Sequence, residues 1–105
     1  MTRVTLFRDP DGRLSGFECK GHSGYAEAGS DIVCAAVSAL SITCANALQN
    51  VAGIDPDVTE KDGYLTVRIP QPQQSHDAQV IMKVFEQGIG DIAASYPKHI
   101  VFTTR

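Results

Sequence analysis

The sequence predicts an α+β fold: a two-layer domain in which a largely antiparallel sheet is covered by two helices, in the order ββαββαβ. Three observations carry this. Two pairs of short extended segments are each joined by turn residues. Two longer stretches repeat their apolar residues at every third or fourth position. The chain has 105 residues, 43% of them hydrophobic, which suffices for a core without disulfide or metal cross-links. Residues 1–105 read as a single domain.

The elements follow in order. Thr2–Arg8 alternates in character and runs into Asp9-Pro10-Asp11-Gly12, where proline presets φ and glycine permits the turn; Leu14–Lys20 is the returning strand. Gly21–Ser30 holds three glycines and no sustained period, so it is a loop, of a length that in a small domain is usually functional or disordered. Val33, Val37, Leu40, Cys44, Leu48 and Val51 then predict a helix from Ile32 to Ala52, capped by Ser30 or Asp31 and stopped by Gly53. Val58–Glu60, the turn Lys61-Asp62-Gly63, and Tyr64–Ile69 form a second hairpin closed by Pro70. After a polar connector to Ser75, Ala78, Ile81, Phe85, Ile89, Ile92 and Tyr96 mark a second helix ended by Pro97, with Gly88 and Gly90 loosening its middle. His99–Thr103 is the last strand.

Composition narrows the function. Nine Lys and Arg stand against twelve Asp and Glu, for a net charge of −3 and a pI near 5.4. A protein that binds nucleic acid directly needs clustered cations, and here they are few and scattered. Met1 leads straight into the first strand without a basic or apolar leader, so the expected location is cytoplasmic. Three cysteines, an odd number, are expected to be thiols. No charged residue occurs from Ile32 through Ile54, a span long enough for a bilayer. Its Ser, Thr, Asn and Gln residues and its abundant Ala instead describe a helix buried on most sides, and no membrane partner is expected.

Cys34 stands out by position. In the first turn of a helix, unpaired N–H groups and the positive end of the macrodipole favour a thiolate, the nucleophilic form. A buried packing thiol is the competing reading, and it is the expected one for Cys19, in a strand, and Cys44, mid-helix. His22, between Gly21 and Gly24 in a polar loop, is twelve residues before Cys34; if it comes within hydrogen-bond reach it can take the thiol proton and return it to a leaving amine. Cys19, His22, Cys34 and Cys44 cannot all bind one zinc, because ten helical residues separate the last two by ~15 Å. A three-ligand set without Cys44 stays open. Asp31 is expected to cap the helix rather than orient His22. Ser38, one turn beyond Cys34, either donates into the site or packs. His76 and His99 read as surface or structural.

The run Gly21-His22-Ser23-Gly24-Tyr25-Ala26, followed by Gly29-Ser30-Asp31-Ile32-Val33-Cys34-Ala35-Ala36-Val37-Ser38, closely resembles the signature of the bacterial ribosomal-processing cysteine protease family Prp. The flanking hairpins and the length extend the resemblance over essentially the whole chain. It implies a thiol protease with Cys34 as nucleophile and His22 as general base, and with Gly21, Gly24, Tyr25, Gly29, Asp31 and Ser38 supporting the site or facing substrate. It further implies removal of a short N-terminal extension from large-subunit ribosomal protein twenty-seven by cleavage in a hydrophobic, aromatic-containing stretch. A homodimer is implied, and no cofactor or metal is required. A non-catalytic dimeric module that binds ribosomal proteins is the alternative.

Overall fold

The structure, a computed structural model, describes residues 1–21 and 31–105. Strands β1 (Thr2–Arg8) and β2 (Leu14–Lys20) form an antiparallel hairpin. Its turn is held by Asp9 Oδ1, which accepts the Asp11 and Arg13 N–H groups at 3.0 Å each. Helix α1 (Ile32–Asn50) follows, then the hairpin of β3 (Asp57–Lys61) and β4 (Tyr64–Arg68), helix α2 (His76–Ser95) and strand β5 (Ile100–Thr104). The sheet order is β3-β4-β2-β1-β5, antiparallel throughout except that β5 returns parallel to β1. The α+β architecture and the element order are those read from the sequence.

Alternation along the strands divides the sheet into two faces. Val4, Leu6, Phe17, Cys19, Leu65 and Val67 are buried, while Arg3, Lys20 and Arg68 are exposed on the other side. Ser75 caps α2, its hydroxyl accepting the Ala78 N–H at 3.1 Å. Ala78, Met82, Phe85 and Ile89 of this helix enter the core, with the Phe85 ring stacked on Phe17 at a centroid separation of 3.9 Å. Burying such aromatic and aliphatic side chains contributes on the order of 1.5–3 kcal/mol each.

Three expectations need correction. Gly88 and Gly90 do not loosen α2, which runs unbroken from His76 to Ser95. Gly88 instead lets α1 approach: a Cβ built there would stand 2.5 Å from Leu40 Cδ2. Val51 is not on the apolar stripe of α1 but is its C-cap, 70% exposed. Beyond it Gly53 turns the chain at φ +68, and the Ile54 N–H reaches back to the Leu48 carbonyl at 3.1 Å. Nor is α1 buried on most sides. It is long and apolar enough to cross a membrane by composition, and it packs one stripe, Val33, Val37, Ser41, Cys44, Ala45 and Leu48, into the core.

Candidate active site

The start of α1 fixes the position of Cys34. Asp31 takes an extended backbone conformation as N-cap, and its Oδ1 accepts the Cys34 N–H at 2.9 Å. This is the cap expected from the sequence, and it ties the Cys34 backbone to a carboxylate that is itself 8% exposed. Cys34 is half-buried on the wall of a cavity of about 380 Å³ between α1 and the ends of β1, β2 and the β3–β4 hairpin. Val37, Ser38, Ser41 and Ile42 extend the α1 wall, Thr2, Cys19 and Gly21 line it from the sheet, and residues 60–65 close the third side. Ser38 is exposed and borders the same cavity as Cys34, which removes the packing reading for it. A smaller hollow of about 220 Å³ continues along α1 and shares Ile42, Glu60 and Leu65 with the first.

The three thiols differ. Cys19 is buried, its Sγ is 3.3 Å from Ser41 Oγ, and burial pushes its pKa up to about 11, the Ser41 bond opposing and the Glu18 charge adding to the rise. A thiol held protonated in this way is a packing group and a poor metal ligand. Cys44 is buried, and burial raises its pKa as well. Cys34 alone of the three reaches the surface. Packing for Cys19 and Cys44 thus matches expectation.

His22, Gly24, Tyr25 and Gly29 lie outside the described residues. The residues that flank them are placed. Gly21, at φ +81, donates its N–H to the Gly63 carbonyl at 2.8 Å. A Cβ at Gly21 would meet the Met1 carbonyl oxygen at 2.9 Å, so both the dihedral and the space call for glycine. Gly21 itself lines the cavity. His76 is exposed and bonded to Asp77, and neither it nor His99 borders the cavity. Sequence reasoning missed Thr2, Ser41 and the Glu60–Tyr64 segment as cavity residues. Only the register that sets Gly21 beside Gly63 brings them together, and no local motif announces it.

Residues 1–101 match the model of a family described as cysteine protease Prp. The chain is similar to a ribosomal processing cysteine protease Prp of Bacillus subtilis, with 31% identity over 99% of this chain and 97% of that protein. One from Mycoplasma genitalium is 34% identical over 78% and 80% of the two chains. Among solved structures, a Staphylococcus aureus ribosomal processing protease Prp with a covalently linked product peptide superposes with a TM-score of 0.93 at 25% identity, over the whole of both chains. A Streptococcus mutans protein superposes at 0.82 with 32% identity, over 99% of this chain and 93% of the other. With a family model matched over residues 1–101 and a relative 31% identical over nearly the whole of both chains, the chain belongs to the cysteine protease Prp family.

Proposed function

We propose that this protease removes the short N-terminal extension of large-subunit ribosomal protein twenty-seven, using Cys34 as nucleophile and His22 as general base. The observation that carries the reading is the setting of Cys34: first turn of α1, backbone fixed by Asp31, beside a cavity large enough for a substrate side chain. The names of the curated relatives, and the product and substrate peptides bound to the Staphylococcus aureus protein, support ribosomal-protein processing as the task. His22 takes its role from the sequence resemblance.

The reaction is acyl transfer. His22 accepts the Sγ proton, the thiolate adds to the scissile carbonyl, and the tetrahedral intermediate collapses as His22 returns the proton to the leaving amine. Water, deprotonated by His22, then hydrolyses the thioester and releases the acid and the free thiol. Because the Cys34 N–H is already bound to Asp31, the Ile32 and Val33 N–H groups at the helix start are the oxyanion donors in this scheme. The test is incubation with the extended ribosomal protein and mass analysis of the fragments. One cut by the wild type, and none by Cys34→Ala or His22→Ala of unchanged fold, is the expected result. Cleavage by Cys34→Ala overturns the assignment.

We further propose that the enzyme works in the cytoplasm as a homodimer. Helix α1 carries no charged residue and exposes Ile32 and Ile42 at 52% and 44%, apolar surface that a second copy would cover. Sedimentation at micromolar concentration that finds only the 11.3 kDa species overturns the pairing.

A further inference from the structure

The buried side chains of α1 and α2 enter one face of the sheet. On the opposite face, side chains from all five strands are exposed or half-buried. Cations that are scattered along the sequence gather there. The register sets Arg3, Lys20, Tyr64 and Lys61 side by side across β1, β2, β4 and β3. Arg68 lies at the other end of β4, and Arg105 extends the pairing of β5 alongside Phe7. Five of the nine Lys and Arg residues thus share this face with two of the twelve carboxylates, Glu18 and Asp57. The net negative charge of the chain is carried elsewhere. Of the five cations, only Lys20 is ion-paired among the described residues, to Glu18 at 3.8 Å. Arg3 and Lys20 stand directly opposite each other, and like charges so placed oppose the pairing of their strands.

Aromatic and hydroxyl groups lie between the cations. Gly16 separates Phe7 from Arg68 in the register, and a Cβ there would stand 3.1 Å from Arg68 Cδ. Without one, the Arg68 guanidinium lies over the Phe7 ring, 3.6 Å from its centroid. Tyr64 is half-buried, with Lys20 Nζ 5.8 Å from its ring centroid. Thr5, Thr66 and Thr59 flank Glu18 in the row between. We propose that this face binds single-stranded RNA, its cations and threonine hydroxyls holding phosphates while Tyr64 and the outer side of the Arg68 guanidinium stack on bases. A protein partner would want an apolar centre, and this face has none. Glu18 selects against DNA, since a carboxylate accepts a ribose 2′-hydroxyl and has nothing to accept from deoxyribose.

The test is fluorescence anisotropy with the full chain and a labelled, unpaired RNA of about twelve nucleotides. Binding is expected in the micromolar range, with a slope of log K on log salt of about −3 for four to five neutralised phosphates. DNA of the same sequence and a poly-glutamate peptide should bind several-fold more weakly. Lys61 and Tyr64 also line the cavity, so the variants leave them untouched. Arg3→Glu/Lys20→Glu/Arg68→Glu should weaken RNA binding at least about tenfold, whereas Lys83→Glu, on α2, should leave it unchanged. Arg3→Gln and Lys20→Gln each remove a like-charge contact, so both should melt no lower than wild type, and each should flatten the salt slope by about 0.7. A wild type that leaves the RNA unbound up to ~200 μM protein overturns the proposal. So do Arg3→Gln and Lys20→Gln variants that keep the wild-type slope, and DNA or poly-glutamate bound as tightly as RNA.

Discussion

Iodoacetamide at pH 7 puts the assignment of the nucleophile to a direct trial. Cys19, with its pKa near 11, is thiolate in only about one molecule in ten thousand at that pH, against about one in a hundred for a thiol at 9.0. Chemistry alone therefore slows Cys19 about a hundredfold relative to an unperturbed thiol, and its burial beneath Ser41 slows it further. Cys44 is displaced in the same direction. Cys34, half-buried on the cavity wall and open to the reagent, should thus take up the label well before Cys19. Peptide mass analysis over time gives the three rates, and loss of cleavage should follow Cys34 labelling one for one. Comparable labelling of Cys19 or Cys44 in the folded protein, or full activity after Cys34 is alkylated, refutes the reasoning.

Asp31→Ala should lower stability by about 1 kcal/mol, or roughly 4–8 °C in Tm, through loss of the cap, whereas Asp31→Asn should cost only a few tenths because Asn caps nearly as well. Complete loss of cleavage in a stable Asp31→Asn would instead make Asp31 part of the catalytic machinery. Gly21→Ala forces a left-handed residue against the Met1 carbonyl and should cost about 1–2 kcal/mol, with a fall in cleavage larger than the fall in stability because His22 is attached there; wild-type activity in this variant contradicts the placement. The Cys19 thiol is favoured protonated in the fold, so its contribution is present below pH 9.0 and lost as pH rises towards about 11, by roughly 2–3 kcal/mol. Melting curves of wild type and Cys19→Ala that fall equally over that interval exclude this linkage.

Strands β1, β2 and β4 were legible because turn residues adjoin them and their alternation matches a sheet with one buried face, whereas β3, exposed along its whole length, was marked by its hairpin turn alone. The start of α1 was legible because Asp31 has the chemistry of an N-cap and Cys34 follows at the distance that its bond requires. The end of α1 was less so. Val51 keeps the apolar spacing of the stripe, but Gly53 has already begun to turn the chain away. Met82 escaped the reading of α2 because Ile81 next to it fits the same period, and the packing of the helix on Phe17 and β5 decides which of the two is fully buried. At the site, a helix-start cysteine can be found by eye. Thr2 cannot be found as a cavity residue, since an alternating strand carries threonine on either face and only the assembly of β1, β2 and α1 sets it beside Cys34.

The absence of a side chain at Gly88 reaches farther than the crossing it makes possible. Helix α2 contributes no residue to the cavity, but through Leu40 it sets how closely α1, and with it Cys34, rides over the sheet. Gly88 thus acts as a spacer of zero thickness between the helices, and a methyl or larger group there has to displace the end of the Leu40 side chain. The fit between the two helices is therefore set by the one position on α2 that has no side chain to offer, and Leu40 occupies the room it leaves.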